Sequence, residues 1–475
     1  MAAHLPCSAT PYRCMATIPY PSLFSWQSIE AASDLDRLRL VLAAMSTVDE
    51  PFMRQLEIER GRGRDDYPIR ACWNALLAGI VYQHQSSASL LRELRRNAEL
   101  RQECGFDPLR GAVAVPSDDA FGNFLLKVIE HYPMLMEMFH ALVAKLGAAL
   151  PDLGTYTACD SKAISSFGGP TKKAGQKRAD GQADQRRDND ADWGMKTYRG
   201  VREDGTVWEK VTKWFGYKLH LVVDSVYEMP LAFALTRASA SDCTNLLPLV
   251  EDMTQHHPEL KGRVQEMAGD KGYDSGANNA TLYDKHGIKP VIDTRRLWKD
   301  GEKTKAVDPD ASDVFVYDEQ GQVYCLDPMR GEQRTMCFDG FEPGRDTLKY
   351  RCPAAALGCT CHGRAECEAL SARTVGAYGR VLRIPLKKDR RIFTPIARHS
   401  RTWDTAYDRR TSVERVNSRL DRVLGFEQHT IRGMAKMQAR VTLALVVMLA
   451  MALGRIQAGQ KEQMRSLTAP VRRAA

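Results

Sequence analysis

Three acids, Asp160, Asp270 and Glu414, stand where carboxylates could do chemistry. Asp160 and Asp270 each close a short β-prone run, Thr155 to Cys159 and Val264 to Gly269. In α/β layer folds the strand ends hold ligands, because a rigid backbone fixes the side chains there. Glu414 falls in YDRRTSVERVNSRLDRVLGF, residues 407–426, which reads as one helix with three faces. Val413, Val416, Leu420 and Leu424 form an apolar stripe, and Arg415, Arg419 and Arg422 a basic face. Tyr407, Arg410, Glu414 and Asn417 share the third, since residues three, four and seven apart are neighbours on a helix. Carboxylates from two strand ends and one helix can converge on a pair of Mg²⁺ ions, which prefer oxygen ligands and keep positions open for water and phosphate. Two such ions about 3.5–4 Å apart stabilise the attacking and leaving oxygens of an in-line phosphoryl displacement. Each acid taken alone reads better as a turn or cap residue, and their convergence is an expectation from the fold.

The charge distribution favours a polyanionic partner. The chain has 475 residues, 44% hydrophobic and 27% charged, which allows a large core in two or three domains. Its formal net charge is +8, and residues 371–435 hold 15 Arg and Lys against 6 Asp and Glu. The excess therefore lies around Glu414, as nucleic-acid binding would require. The N-terminal MAAHLPCSATPYRCM lacks the basic start and apolar core of a signal peptide. The apolar run Val441 to Leu453 is too short to span a bilayer and reads as a buried helix. A cytoplasmic protein with no membrane partner is expected. Of 12 cysteines, Cys325, Cys337, Cys352, Cys359, Cys361 and Cys367 cluster in one segment, which suggests reduced thiols or metal rather than disulfides. Cys352, Cys359, Cys361 and Cys367 are candidate ligands for a structural zinc that would hold together a thin β-rich unit.

The elements that must position these groups follow from periodicity. Residues 1–30 read as an irregular lead-in, and 31–154 as a helical N-terminal domain with a DNA-facing role for Arg92, Arg95 and Arg96 as one option. Its helices are expected over Tyr67 to His84, Ser87 to Asn97, and Ser117 to Leu146 with a Ser117-Asp118-Asp119 cap. Residues 155–294 and 386–456 read as an α/β core. It contains strands at Trp214 to Asp224, Met229 to Ala238 and Ile288 to Ile292, and helices at Asp242 to His257 and Ser275 to His286. The stretch Ser165 to Lys213, rich in Gly, Lys, Arg and Asp, is expected to be a mobile loop. Residues 295–385 read as a β-rich insertion carrying the cysteines, Met434 to Ile456 as an apolar helix, and 457–475 as a basic tail. Asp224 is expected at a strand-end turn and Asp274 as a helix cap.

The stretches TACDSKAI around Asp160, GYKLHLVVDS at 216–225, AGDKGYDS at 268–275 and the 407–426 helix together resemble the DDE transposases of bacterial insertion sequences. The resemblance is to the large family with an RNase H-like catalytic domain and a β-rich insertion before the last acid, and it covers roughly residues 65–455. It implies an RNase H-like α/β core, with Asp160, Asp270 and Glu414 as the catalytic, metal-binding triad for two Mg²⁺, for which Mn²⁺ can substitute. It implies cleavage at the element ends and transfer of the freed 3′-OH into target DNA, without a covalent protein–DNA intermediate. The implied partners are double-stranded DNA, as terminal inverted repeats and target, and a second copy of the chain in a homodimer on DNA. Tyr407 and Arg410 match the family's Tyr-x2-Arg-x3-Glu pattern and are implied DNA contacts. Arg415, Arg419, Arg422, Lys218 and His220 are further candidates, with a structural histidine the plainer reading of His220. The family's Lys seven residues after the Glu is Asp421 here, so Arg419 or Arg422 is expected to supply that cation. Two other readings are an RNase H-like nuclease that cuts without joining, and a DNA-binding protein with an inactive site.

Overall fold

A computed structural model of the chain describes residues 34–61, 66–170, 187–202, 204–295, 298–309, 315–326, 333–369 and 376–471. The lead-in expected over 1–30, the charged stretch 171–186 and the last residues of the tail lie outside the described residues.

The N-terminal half is helical: α1 (Leu35–Met45), α2 (Glu50–Arg60), α3 (Ile69–Val81), α4 (Ser87–Arg96), α5 (Ala98–Cys104), α6 (Asp118–Glu130) and α7 (Tyr132–Ala149). Ser117 caps α6, its hydroxyl accepting from Ala120 N–H, as its place before an apolar period leads one to expect. The single helix expected over 117–146 breaks at His131, and Pro133 sits in the first turn of α7, where its missing N–H does no harm.

The central six-stranded sheet is built from β1 (Tyr156–Ser165), β2 (Asp192–Val201), β3 (Val207–Asp224), β4 (Pro230–Arg237), β5 (Glu266–Gly269) and β6 (Lys289–Ile292). Helices α8 (Asp242–His256) and α9 (Gly276–Asp284) connect β4 to β5 and β5 to β6. The order is β2-β3-β1-β5-β6, with β4 on β3 beyond the end of β2. Pairing is antiparallel on the β3 side of β1 and parallel on the β5 side, so the sheet is mixed α/β.

The loop expected over 165–213 is largely a hairpin. β2 pairs with the first half of β3, from Val201↔Val207 to Asp192↔Gly216. Two of its pairs set a glycine against a tryptophan, Gly194↔Trp214 and Gly200↔Trp208. A Cβ on either glycine would lie within 2.5 Å of the facing indole, so the ring covers the backbone that glycine leaves bare. Both hairpin faces are exposed, with Trp193, Met195, Tyr198 and Val207 open, so no apolar-polar alternation marks the strands in sequence.

Gly216 sits where β1, β2, β3 and β4 meet. A Cβ there would lie 2.1 Å from the Ile164 carbonyl oxygen and 2.7 Å from the Ser166 nitrogen, both rigid backbone. Gly216→Ala is expected to destabilise the fold by about 3 kcal/mol, because the strands must separate to admit a methyl group. Thermal or urea unfolding indistinguishable from the parent would show that these strands do not approach so closely.

A buried helix, α14 (Met434–Gln457), joins the two halves. By length and composition it could cross a membrane, but it is largely buried and packs against α1, α3, α7 and β4. Phe139 of α7 meets Phe233 of β4 edge to face at 5.0 Å, within one apolar core that spans the helices, the sheet and α14. The region between β6 and residue 400 has its own core around Phe315, Tyr317, Val323, Leu348, Ile384 and Phe393. Its sheets are β7 (Lys305–Ala306), β8 (Phe315–Tyr317), β9 (Val323–Leu326) and β10 (Gln333–Thr335), and then β11 (Cys337–Glu342), β12 (Thr347–Arg351) and β13 (Val381–Pro385). Short helices α10 (Pro353–Leu357) and α11 (Arg364–Ala369) lie between β12 and β13. The chain then returns to the main sheet through α12 (Arg401–Asp408) and α13 (Thr411–Val423).

Candidate active site

Adjacent parallel strands deliver two acids side by side. Cys159 of β1 lies opposite Gly269 of β5, and the next residue on each strand is an aspartate, Asp160 and Asp270. The close approach needs Gly269, since a Cβ there would sit 2.9 Å from Cys159 Sγ. β1 does not end at residue 159 as expected. It runs on against β3 to Ser165, so Asp160 projects from a strand held on that side only. Asp160 Oδ1 accepts from Ser161 N–H at 2.7 Å, and Asp270 Oδ1 from Gly272 N–H at 2.7 Å. Burial, and then the negative charge of Asp270, push the Asp160 carboxyl up to about 6, against the pull of the Ser161 amide, Lys196 and Arg410.

A third acid, Asp242, belongs to the same neighbourhood. Burial first, and then the charges of Asp160, Asp270 and Asp242, hold the Cys159 thiol well above its ordinary value. A Cβ on Gly272 would lie 2.7 Å from Asp270 Oδ1 and 3.3 Å from Asp242 Oδ2. Ser241 holds the N-cap position of α8, and Asp242 opens its first turn.

Glu414 reaches the sheet on α13, which packs on β1 and β3 through the buried Val413, Val416 and Leu420. That is the stripe expected from periodicity. The helix expected over 407–426 is interrupted before α13, where Thr411 Oγ1 donates to the Asp408 carbonyl at 2.8 Å and offers the backbone an alternative partner. The exposed Glu414 carboxylate accepts from Arg410 Nη1 at 2.6 Å. Burial opposes the Arg410 charge, but Glu414, Tyr407 and Asp160 outweigh it and raise its pKa. Arg410 thus links Glu414 to Asp160. Tyr407 stacks on Trp403 at 4.8 Å and carries Arg410 at 5.7 Å from its ring centre. The set of His, Cys, Asp or Glu ligand atoms found within 4.8 Å of one another among the described residues lies elsewhere, at His140, Asp252 and His256.

Several side chains expected to face DNA have other partners. His220 is fully buried, with Nε2 2.9 Å from Thr236 Oγ1, and so is a structural residue that cannot reach an external phosphate. Lys218 donates to the Ala240 carbonyl at 2.7 Å and lies 3.0 Å from Asp242 Oδ1, so it balances that acid. Arg415 Nε and Arg419 Nη1 hold the buried Glu228 at 2.6 and 2.5 Å. Arg419 is therefore engaged away from position 421, whereas Arg422 is exposed. Asp224 is the strand-end turn residue expected, accepting from Gly154, Val226 and Tyr227 N–H. Asp274 is not a cap: Ser275 takes that role, and Asp274 is buried against Arg391.

Asp421 has its cation on β1. Lys162 Nζ lies 2.6 Å from Asp421 Oδ2 and 2.8 Å from Glu427 Oε1. Two residues after Asp160 in a strand, Lys162 projects on the same side as that acid. Lys162→Asp and Asp421→Lys are each expected to lower stability by about 1 kcal/mol, and the double exchange to restore most of the loss. Additive losses in thermal melts of the three variants would show that the pair does not interact.

Among the cysteines, Cys359 is exposed. Cys325 of β9 is half-buried and neighbours Cys367, Cys352 and Cys361; its thiol is pushed up to about 12 by burial and then by those three. Sequence reading places Cys325 in the cluster but not among the zinc candidates, since it lies 27 positions before Cys352.

Residues 180–450 match the model of a transposase DDE domain. That range includes Asp270 and Glu414 and begins after Asp160. A Burkholderia cepacia protein described as "Putative transposase for insertion sequence element IS402" is 41% identical over 86 residues, which is 17% of this chain and 39% of that protein. The match thus spans about two fifths of that relative's length.

Proposed function

Given that this chain belongs to the transposase DDE-domain family, which its sequence matches over residues 180–450, we propose that it cuts and joins DNA at the ends of an insertion element. The proposed catalytic residues are Asp160, Asp270 and Glu414. The reading is supported above all by the two aspartates that follow the last parallel pair of β1 and β5, one raised to about 6 by burial and then by the other's charge. The core is proposed to be RNase H-like, which the antiparallel β4-β3-β1 and parallel β1-β5-β6 arrangement supports.

An all-oxygen set of acids that repel one another fits a hard divalent cation such as Mg²⁺, with Asp160 and Asp270 as the first ligands and Glu414 as the third. When bound, such a cation lowers the pKa of water and offsets charge on phosphate oxygens. Asp160 and Asp270 hold their places through the Ser161 and Gly272 amides. Arg410, between Glu414 and Asp160, is placed to pair with a DNA phosphate once Glu414 turns inward. Tyr407 and Trp403 give a stacked aromatic surface beside it, suited to an unpaired base. Arg422, Arg432 and the Arg-rich segment around α13 would extend the contact to the DNA backbone. We place Glu414 at the end of an insertion-containing core, with 31–154 as a helical DNA-binding region and a homodimer on DNA as the working form.

The test is strand transfer. With Mg²⁺, the protein is expected to join a precut DNA carrying the element's own end to a target plasmid, and to do so less with an unrelated end. Cleavage without joining would support a nuclease instead, and binding without either would support an inactive DNA-binding protein.

A further inference from the structure

A second cluster lies away from the acids, between α7 and the end of α8. His140 of α7 and His256 of α8 stack with ring centres 3.9 Å apart and planes within 6°. His140, Asp252 and His256 each offer a ligand atom, and the three atoms lie within 4.8 Å of one another. Neighbouring acceptors decide which nitrogens remain free. His256 Nδ1 lies 3.0 Å from the Asp252 carbonyl oxygen and 3.2 Å from Asp252 Oδ1, which calls for a proton on Nδ1 and leaves Nε2 with a lone pair. Two contacts bear on His140: His257 Nε2 lies 3.1 Å from its Nδ1, and Glu259 Oε1, 3.4 Å from His257 Nδ1, attracts a proton to that nitrogen by charge without a well-aligned hydrogen bond. With the His257 proton turned to Glu259, its Nε2 accepts from His140 Nδ1–H, and His140 Nε2 is left as a lone-pair donor. Asp252 Oδ2 is buried and has no hydrogen-bond partner among the described residues. The three uncommitted atoms are therefore two imidazole nitrogens and one carboxylate oxygen.

We propose that His140, Asp252 and His256 form a binding site for a zinc-like divalent transition-metal ion that clasps α7 to α8. Two neutral imidazoles and a carboxylate suit a borderline cation better than Mg²⁺, which takes oxygen ligands. The Glu259–His257–His140 chain is the outer support such ligands have, an acceptor fixing the tautomer of the ligating ring. The stacked rings present their nitrogens side by side, so binding turns them about their Cβ–Cγ bonds toward a common point. A fourth position remains open to water, because His256 and Asp252 are partly exposed. The site holds the helical half of the chain to the sheet half, and it stands whether or not the acids at 160, 270 and 414 are catalytic.

The test is metal content and spectrum of the full-length protein. After chelation and equilibrium dialysis against Zn²⁺, His256→Asn and Asp252→Asn are each expected to carry one ion fewer per chain than the parent. Glu414→Gln and Cys361→Ser are expected to keep that ion. With Co²⁺ instead, the parent minus His256→Asn difference spectrum should show d–d bands without a thiolate charge-transfer band. Because His256 is exposed, its substitution leaves folding intact, which circular dichroism checks. Equal zinc content in the parent and both variants, or a thiolate band in the difference spectrum, would overturn the site.

Discussion

Replacing Asp160 by Asn is expected to abolish DNA cleavage while making the metal-free protein more stable. The two effects have one cause. A carboxyl held near 6 by burial and by Asp270 is ionised in the fold at neutral pH against its environment. Its folded pKa lies above the unfolded value, so its ionisation destabilises the fold as pH rises from about 4 to 6, and the deficit persists above that. Asn removes the charge and the repulsion. The melting temperature of metal-free Asp160→Asn should exceed the parent's by roughly 2 °C at pH 7.5, and the gap should narrow as pH falls through about 6 and close only below about 4. Mg²⁺ should raise the melting temperature of the parent and not that of the variant. Losing a ligand that contributes several kcal/mol of charge stabilisation lowers the cleavage rate by about 10³-fold. Glu414→Gln should lose activity similarly but gain no stability, because Glu414 is exposed and already paired with Arg410. An Asp160→Asn protein that melts below the parent at pH 7.5, or that still cleaves, would separate the raised carboxyl from the chemistry.

Removing the Glu228 carboxylate is expected to cause the largest loss of stability among single changes on the exposed loops. Glu228 is buried at 3% exposure and adopts φ +56°, a left-handed conformation uncommon for a side-chain-bearing residue. Its carboxylate meets Arg415, Arg419 and Arg465, and its carbonyl oxygen accepts a second bond from Arg419. Burial alone would raise the carboxyl, but Arg419 and Arg415 outweigh it and hold its pKa below the usual value. Glu228→Ala leaves three guanidinium groups together with no anion, a loss of about 3–5 kcal/mol. Glu228→Gln, which keeps one acceptor oxygen but sets an NH2 donor against the other guanidinium contact, should lose somewhat less. A depressed folded pKa means this contribution is present above the unfolded value near pH 4 and lost as pH falls below it. The same cluster docks α13, so Glu228→Ala should also reduce DNA cleavage in proportion to the disorder of Glu414. Melting and cleavage both equal to the parent would show that α13 is held by its apolar stripe alone.

Regular amphipathic elements were legible in the sequence. Val413, Val416 and Leu420 are buried along α13, and β4, α8, β6 and α14 lie where their periods placed them. Asp160 and Asp270 could be paired because both follow short β-prone runs, although β1 continues past Asp160 on its β3 side. Features set by contacts across the chain were not legible. The β2–β3 hairpin is solvated on both faces and is covered locally by Trp208 and Trp214 over glycines, so its composition imitates a loop. Lys162 faces Asp421 from 259 positions away, and Glu228 draws Arg415 and Arg419 off the surface that helical spacing assigned them. Helical spacing says which residues share a face, and only packing says what that face meets.

The most direct test of a shared cation site is the position of Mn²⁺ in a crystal of the protein bound to its own precut DNA end, read by anomalous scattering. A Mn²⁺ peak within ligand distance of Asp160 and Asp270, with Glu414 turned from Arg410 to complete the set, is the expected result. Mn²⁺ bound elsewhere, or Glu414 still on Arg410 and remote from both aspartates in the DNA complex, would contradict it.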